Sequence, residues 1–469
     1  METEQRDNIP EDLVEDDNVP EDLLKDENKS LELTDVLQTT EETVVSEETL
    51  PVSYPIYQCE YPWVPVCGSV AEMGRDQRFF KGCKWSPDGT CLLTCTDDST
   101  LKLFDLPADL YKSHNLPFQG CSLTEINPAL KIKEGELIYD YCWHPHMSSW
   151  HPETCLLAST AKNSPVHLWD AYRGKLVATY RAYNSVDEVE AASSISISPD
   201  GEKLYCGFDK CIRVFDIKIP GRECDLRPTK FKDGCTPSQS GIVSCIAVNP
   251  ALPTVYAAAS YMKTIGLYSE PDGTPLCVLE GHRGGVTHLK FSPDGFFLYS
   301  GGRKDPEIIC WDLRNPGQVL YTVNRTVQTN QRIYFDLDPT GRFLITGDTN
   351  GFIRVWDTQK ALEVTTESAS TVPAELCSWK PHDDCTNGVS CHPWLPLVAT
   401  SSGQRHTTLA SYDSEASDSE CEGGAPPLPP PSRENNVKLW WAGSTPPLAI
   451  TTDDFFSETQ QTANDENSI

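Results

Sequence analysis

The sequence predicts an all-β chain, a seven-bladed β-propeller with acidic segments at both ends and one inside the last blade. Two recurrences and one charge pattern predict it. The first recurrence is a short apolar strand closed by an aromatic: LKLFD (101–105), VHLWD (166–170), IRVFD (212–216), IGLYS (265–269), IICWD (308–312), IRVWD (353–357) and VKLWW (437–441). Its aromatics, Phe104, Trp169, Phe215, Tyr268, Trp311, Trp356 and Trp440, stand 65, 46, 53, 43, 45 and 84 residues apart. A period of about 40–45 residues suits a four-stranded propeller blade, and the longer intervals then carry insertions. The second recurrence is a proline-centred turn ahead of each strand: WSPDG (85–89), WHPHM (143–147), ISPDG (197–201), VNPAL (248–252), FSPDG (291–295), LDPTG (337–341) and CHPWL (391–395). Proline presets φ and the following Asp-Gly or Thr-Gly permits a tight reversal, so this is the link between a blade's first two strands. The charge pattern separates body from tails. Of the net −31, residues 1–50 hold 18 acids against 3 bases, 411–434 hold 6 against 1, and 442–469 hold 5 against none. The body is therefore near neutral, and a protein that coats nucleic acid through bulk positive charge is excluded.

Taken in order, residues 1–50 read as a disordered acidic tail in which Pro-Glu-Asp-Leu occurs at 10–13 and 20–23. Nothing there has the apolar stretch of a signal peptide. The propeller domain spans 51–441. Its strand 54–66 (YPIYQCEYPWVPV) is expected to close the ring by pairing outside VKLWW, and the blades fall at about 79–106, 137–170, 181–216, 239–269, 281–313, 329–357 and 384–441. Six residues before the closing aromatic stand Asp98, Asn163, Asp209, Asp305 and Asn350, side chains that hold a turn by bonding nearby backbone. Met262 and Glu434 depart from that pattern, and Gly281-His282 reads as a structural blade opening. Residues 236–262 carry no charge, yet Asn249, Pro250 and Pro253 split them into two strands and a turn, not a bilayer helix. The last blade contains an insertion, 405–434, with an acidic serine run and PPLPPP at 426–431. It is expected to be disordered, and Ser417 and Ser419 are candidate phosphorylation sites because Glu follows each at three residues. Residues 442–469 form a second disordered acidic tail.

No catalytic constellation is present: no phosphate-binding glycine loop, no H-E-x-x-H, no G-x-S-x-G. The 19 cysteines include no C-x-x-C. Cys91, Cys142, Cys206, Cys245 and Cys310 sit within apolar strands and read as small buried hydrophobes, so neither metal nor cofactor is expected. The chain reads as a non-enzyme that binds through loops on one propeller face. The residues entering each first strand, and those before each third strand, interleave bases with aromatics there. The candidate RNA-binding residues are Phe80, Lys81, Tyr139, Arg181, Tyr183, Arg283, Arg303, Lys304, Arg332, Tyr334 and Arg405. Such a surface suits an unpaired RNA segment held by stacking and a few phosphate contacts.

Several segments are more individual than the blade pattern: FFKGCKWSPDG (79–89), ELIYDYCW (136–143), RAYNSVDE (181–188), GGVTHLKFSPDG (284–295), GRKDPEIICWDLR (302–314), TNQRIYFDLDPTG (329–341), DCTNGVS (384–390), SSGQR (401–405) and LWW (439–441). Across about 79–441 the chain resembles the vertebrate WD40 telomerase Cajal body proteins. The resemblance implies an RNA-binding propeller that recognises the Cajal-body box of small Cajal body RNAs and telomerase RNA. It implies partnership with a dyskerin-containing ribonucleoprotein and telomerase reverse transcriptase, and a place in the nucleus, Cajal body and telomeres. It also implies a scaffolding role in DNA double-strand break repair and folding on the cytosolic chaperonin, with no membrane and no small-molecule substrate. The residues alone leave a protein-only scaffold, binding a peptide on the same face, as the alternative.

Overall fold

The computed structural model describes residues 54–70, 78–111, 124–359, 372–406 and 434–444. Residues 1–50, Ser417, Ser419, the proline run and nearly all of 442–469 lie outside them. Among the described residues seven blade sheets form a ring, six of four antiparallel strands and one, in blade 7, of five, its outermost strand Thr124–Glu125 lying parallel to its neighbour. Blade 1 runs outward from the channel as Phe80–Trp85, Cys91–Thr96, Thr100–Asp105 and Leu130–Lys133. In blades 2 to 6 the innermost strands are Ile138–Trp143, Ser194–Ile197, Val243–Val248, Val286–Phe291 and Phe335–Leu337. Blade 7 is built from Thr386–Cys391, Leu397–Ser402, Asn436–Trp441 and, from the other end of the chain, Val64–Val70. The repeated aromatic strands are the third strand of each blade, with a fourth beyond them, such as Lys175–Tyr180 or Val319–Asn324, in stretches the repeat pattern leaves as connections.

The ring-closing strand lies later than the expected 54–66. Val64 pairs with Trp441 and Val70 with Asn436. Proline lacks the N–H that a ladder needs, and Pro55 and Pro62 keep the preceding segment out of the sheet. That segment instead packs beneath the seam of blades 6 and 7. The Tyr57 hydroxyl lies 3.0 Å from the His392 carbonyl and 3.2 Å from that of Leu397. Trp63 meets Trp379 edge-on at 4.9 Å.

Adjacent blades bury apolar faces against each other. Trp311, Phe104, Tyr268 and Trp441 are among the largest fully enclosed side chains, each contributing about 1.5–3 kcal/mol relative to exposure. A buried polar relay backs some of these aromatics. In blade 5 the Trp311 indole donates to Ser300 Oγ at 2.8 Å, Ser300 Oγ lies 2.7 Å from His282 Nε2, and His282 Nδ1 lies 2.9 Å from Asp305. Blade 7 repeats it with Trp440, Thr400, His382 and Glu434, at 2.8, 2.8 and 3.0 Å. Glu434 thus departs from Asp in residue type and not in role, since its longer arm reaches the same histidine. Blade 2 puts Glu134 beside Ser159, whose hydroxyl receives the Trp169 indole at 2.8 Å.

The innermost strands are stitched seam by seam. Lys84 donates to the Tyr141 carbonyl (2.6 Å), Asp140 accepts the Ile195 amide (3.3 Å), Ser194 donates to the Val243 carbonyl (2.9 Å) and Ser244 to that of Val286. The remaining seams join His288 to the Phe335 carbonyl (3.0 Å), the Cys391 amide to Asp336 (2.9 Å) and the Trp85 amide to Ser390 (3.1 Å). The described cysteines are all free. Among the described residues no helix is long and apolar enough to cross a membrane.

Candidate nucleic-acid interface

One propeller face is made by the segments entering the innermost strands and by the turns between second and third strands. The chain reverses sharply in those turns, so Ser99, Asn163, Lys210, Lys263 and Lys304 take positive φ of 65, 54, 58, 71 and 49°. Lys210, Lys263 and Lys304 are thereby lifted to exposed turn tips. At the centre of this face lies a cavity of about 290 Å³ whose lining includes Lys81, Tyr139, Tyr261, Gln331, Arg332 and Arg405. Tyr139 is 41% exposed. Lys81 donates to the Ile138 carbonyl at 2.8 Å. Arg405 Nη2 lies 3.1 Å from each Asp97 carboxylate oxygen, joining blade 7 to blade 1 at the rim. Arg303 stacks over Tyr261 at 4.4 Å from the ring centre. Flat rings, a guanidinium plane and an exposed phenol around one opening are the elements of a base-stacking surface.

The cavity floor is a cross-brace. Arg332 reaches over the channel from blade 6, donating to Asp140 at 3.0 Å in blade 2 and to the Ser244 carbonyl at 2.8 Å in blade 4. Lys84 stands 3.6 Å from the same carboxylate and 4.8 Å from the Tyr141 ring centre. Burial alone would raise the Asp140 pKa, but Arg332 and then Lys84 hold it below the usual carboxylate range. Burial, then the charges of Arg332, Lys84 and Lys290, push His288 well below the usual imidazole value, so it is neutral.

The WD domain, G-beta repeat family matches residues 77–105, 174–216, 273–312 and 325–357. Whole-chain relatives are nearer. Telomerase Cajal body protein 1 of Mesocricetus auratus is 46% identical over 82% of this chain and 70% of its own length. That of Mus musculus is 50% identical over 72% of this chain and 61% of its own. A homolog of the same protein in Drosophila melanogaster is 38% identical over 82% of this chain and 69% of its own. The chain belongs to the telomerase Cajal body protein 1 family. The chain spans 70, 61 and 69% of the length of these three relatives.

Within this family propeller the candidate residues divide. Lys81, Tyr139, Arg332, Tyr334 and Arg405 surround one cavity, with Arg303 beside it through Tyr261. Arg283 and Lys304 lie in neighbouring loops of blade 5, Arg283 71% exposed and 3.0 Å from Glu307. Arg181 and Tyr183 stand apart from the cavity lining, in the connection between blades 2 and 3, where the Tyr183 ring lies under Arg222 at 4.4 Å. Three candidates are corrected in role. Phe80 is fully buried, facing Phe104 at 6.4 Å, because strand alternation turns it inward. Arg332 and Tyr334, with side-chain exposure of 15% for the arginine and 7% overall for the tyrosine, are bracing residues of the channel. Sequence reasoning missed Tyr261 and Gln331. Tyr261 occupies in blade 4 the turn that Arg303 occupies in blade 5, and aligning those turns was the available signal.

Proposed function

We propose that the chain is a non-catalytic RNA-binding subunit of telomerase and Cajal-body ribonucleoproteins. On this reading its loop face takes the Cajal-body box of small Cajal body RNAs and of telomerase RNA. The relatives' name joins telomerase to the Cajal body, and that kinship supports nuclear, Cajal-body and telomere localisation. It also supports partnership with dyskerin, telomerase reverse transcriptase and the folding chaperonin, and a scaffold role in break repair. The observation that carries the RNA reading is the stacked Arg303–Tyr261 pair beside exposed Tyr139 at a cavity of about 290 Å³. A near-neutral body means few phosphate contacts, so discrimination falls to stacking and base edges.

In-cell crosslinking tests it: adducts at Tyr139, Tyr261 or Arg405 should carry small Cajal body RNAs. Adducts free of RNA, with peptide partners retained, would favour the protein-only scaffold. Arg303→Glu with Lys304→Glu should abolish RNA retention while leaving the melting temperature within a few degrees. Undiminished retention removes both residues from the site.

A further inference from the structure

The other mouth of the channel holds a second cavity, of about 480 Å³, framed by the inner turns that carry Pro87, Pro250 and Pro393. Its lining includes the cationic side chains Lys84, Lys290 and Arg332 against the carboxylates Asp140 and Asp336. The carboxylates face backbone and are already engaged. Asp140 accepts from the Tyr141 amide at 2.9 Å, the Ile195 amide at 3.3 Å and Arg332 at 3.0 Å. Asp336 accepts from the Leu337 and Cys391 amides, both at 2.9 Å, and lies 2.8 Å from Lys290 Nζ. Their side chains are 5% and 13% exposed, whereas Lys84 is 28% and Lys290 45% exposed. The charge a solute meets is therefore ammonium. Each ammonium has three N–H donors; Lys290 spends one on Asp336 and Lys84 one on the Tyr141 carbonyl at 2.6 Å. Trp85, Trp143 and Phe291 supply apolar wall in the same cavity.

We infer that this cavity binds a small phosphate monoester, its phosphoryl oxygens bridging Lys84 of blade 1 and Lys290 of blade 5 and its organic part lying against the apolar wall. The volume is that of small-ligand sites, about 300–1,000 Å³. A dianion with three acceptor oxygens engages two separated ammonium groups at once, which a single carboxylate does less well. The loop-face cavity has no part in this proposal.

The full-length chain tests it. Inorganic phosphate and adenosine 5′-monophosphate are titrated while the unfolding midpoint is followed, with sodium chloride at matched ionic strength as reference. The midpoint should climb with the logarithm of phosphate or nucleotide concentration and stay flat in chloride. Lys290→Met should lose the response and still retain RNA, and Lys84→Gln should likewise lose the phosphate response should the first variant fold poorly. A nucleotide shift steeper than that of phosphate assigns the apolar wall to the organic part. An equal shift in chloride, or an undiminished response in both lysine variants, overturns the site.

Discussion

Removing one oxygen from the blade 5 relay should destabilise the propeller more than the lost volume warrants. Ser300 Oγ accepts the Trp311 indole N–H at 2.8 Å and lies 2.7 Å from His282 Nε2, and Ser300, Trp311 and His282 are 0, 1 and 7% exposed. Ser300→Ala strips both rings of that partner where water cannot replace it. A buried polar group left unpaired costs about 1–3 kcal/mol, so two cost about 2–6 kcal/mol. Ser300→Thr keeps the hydroxyl, and Thr400 fills this place in blade 7, so its cost should stay within about 1 kcal/mol. Denaturant unfolding of the two variants and of a cycle with Trp311→Phe separates the hydrogen bonds from packing. In the Trp311→Phe background one orphaned group is already gone, and Ser300→Ala should cost about 1 kcal/mol or more less than in the parent. A Ser300→Ala chain within about 0.5 kcal/mol of the parent, or strict additivity in the cycle, refutes the relay as a source of stability.

The same relay has a pH signature. Burial alone would raise the Asp305 pKa, but His282 and the amides of Glu307 and Gly284 bring it from 3.8 down to about 2. A depressed carboxylate stabilises the fold fully above its unfolded pKa and loses that stabilisation as pH falls toward 2. The gap corresponds to about 2.5 kcal/mol, so the difference in stability between the parent and Asp305→Asn should shrink between pH 4 and pH 2, and a constant difference contradicts the assignment. Arg332→Met should cost about 3–5 kcal/mol by stranding buried Asp140, toward the lower end because Lys84 remains 3.6 Å away. Adding Asp140→Asn should recover part of that loss in a thermal melt, and an Arg332→Met chain as stable as the parent rules out the cross-brace.

The third strands were legible because every blade places an aromatic ring there against its neighbour, fully buried in six blades and partly buried as Trp169 in blade 2, which repeats Phe, Tyr or Trp at one place seven times. The fourth strands were not, because they lie at the rim: Leu176 and Val177 are 50 and 54% exposed, so no clean apolar alternation marks them. The ring-closing strand was legible in outline and displaced in register, because apolar content does not reveal which residues lack a donor. At the loop face, exposed Tyr139, Arg303 and Arg405 could be read from position within the repeat. Arg332 could not. Its partner Asp140 is 192 residues away, and a cation just ahead of a strand looks the same in sequence whether it meets solvent or spans a channel.

Both ends of the blade 7 insertion, Arg405 and Glu434, are fixed by ion pairs. Arg405 is tied to Asp97 at the rim of the loop-face cavity. Glu434 is tied to buried His382 at 3.0 Å and to Lys438 at 2.8 Å. Burial alone would raise the Glu434 pKa, yet His382, the Asp383 amide and Lys438 together lower it strongly, so it enters its relay as a carboxylate. Arg405 and Glu434 therefore both stand on the side of the ring that carries Lys81, Tyr139 and Arg303. Two cations of this face, Arg405 and Lys438, are thus already paired with carboxylates, and a ligand held there by stacking is affected less by that neutralisation than one held by phosphates.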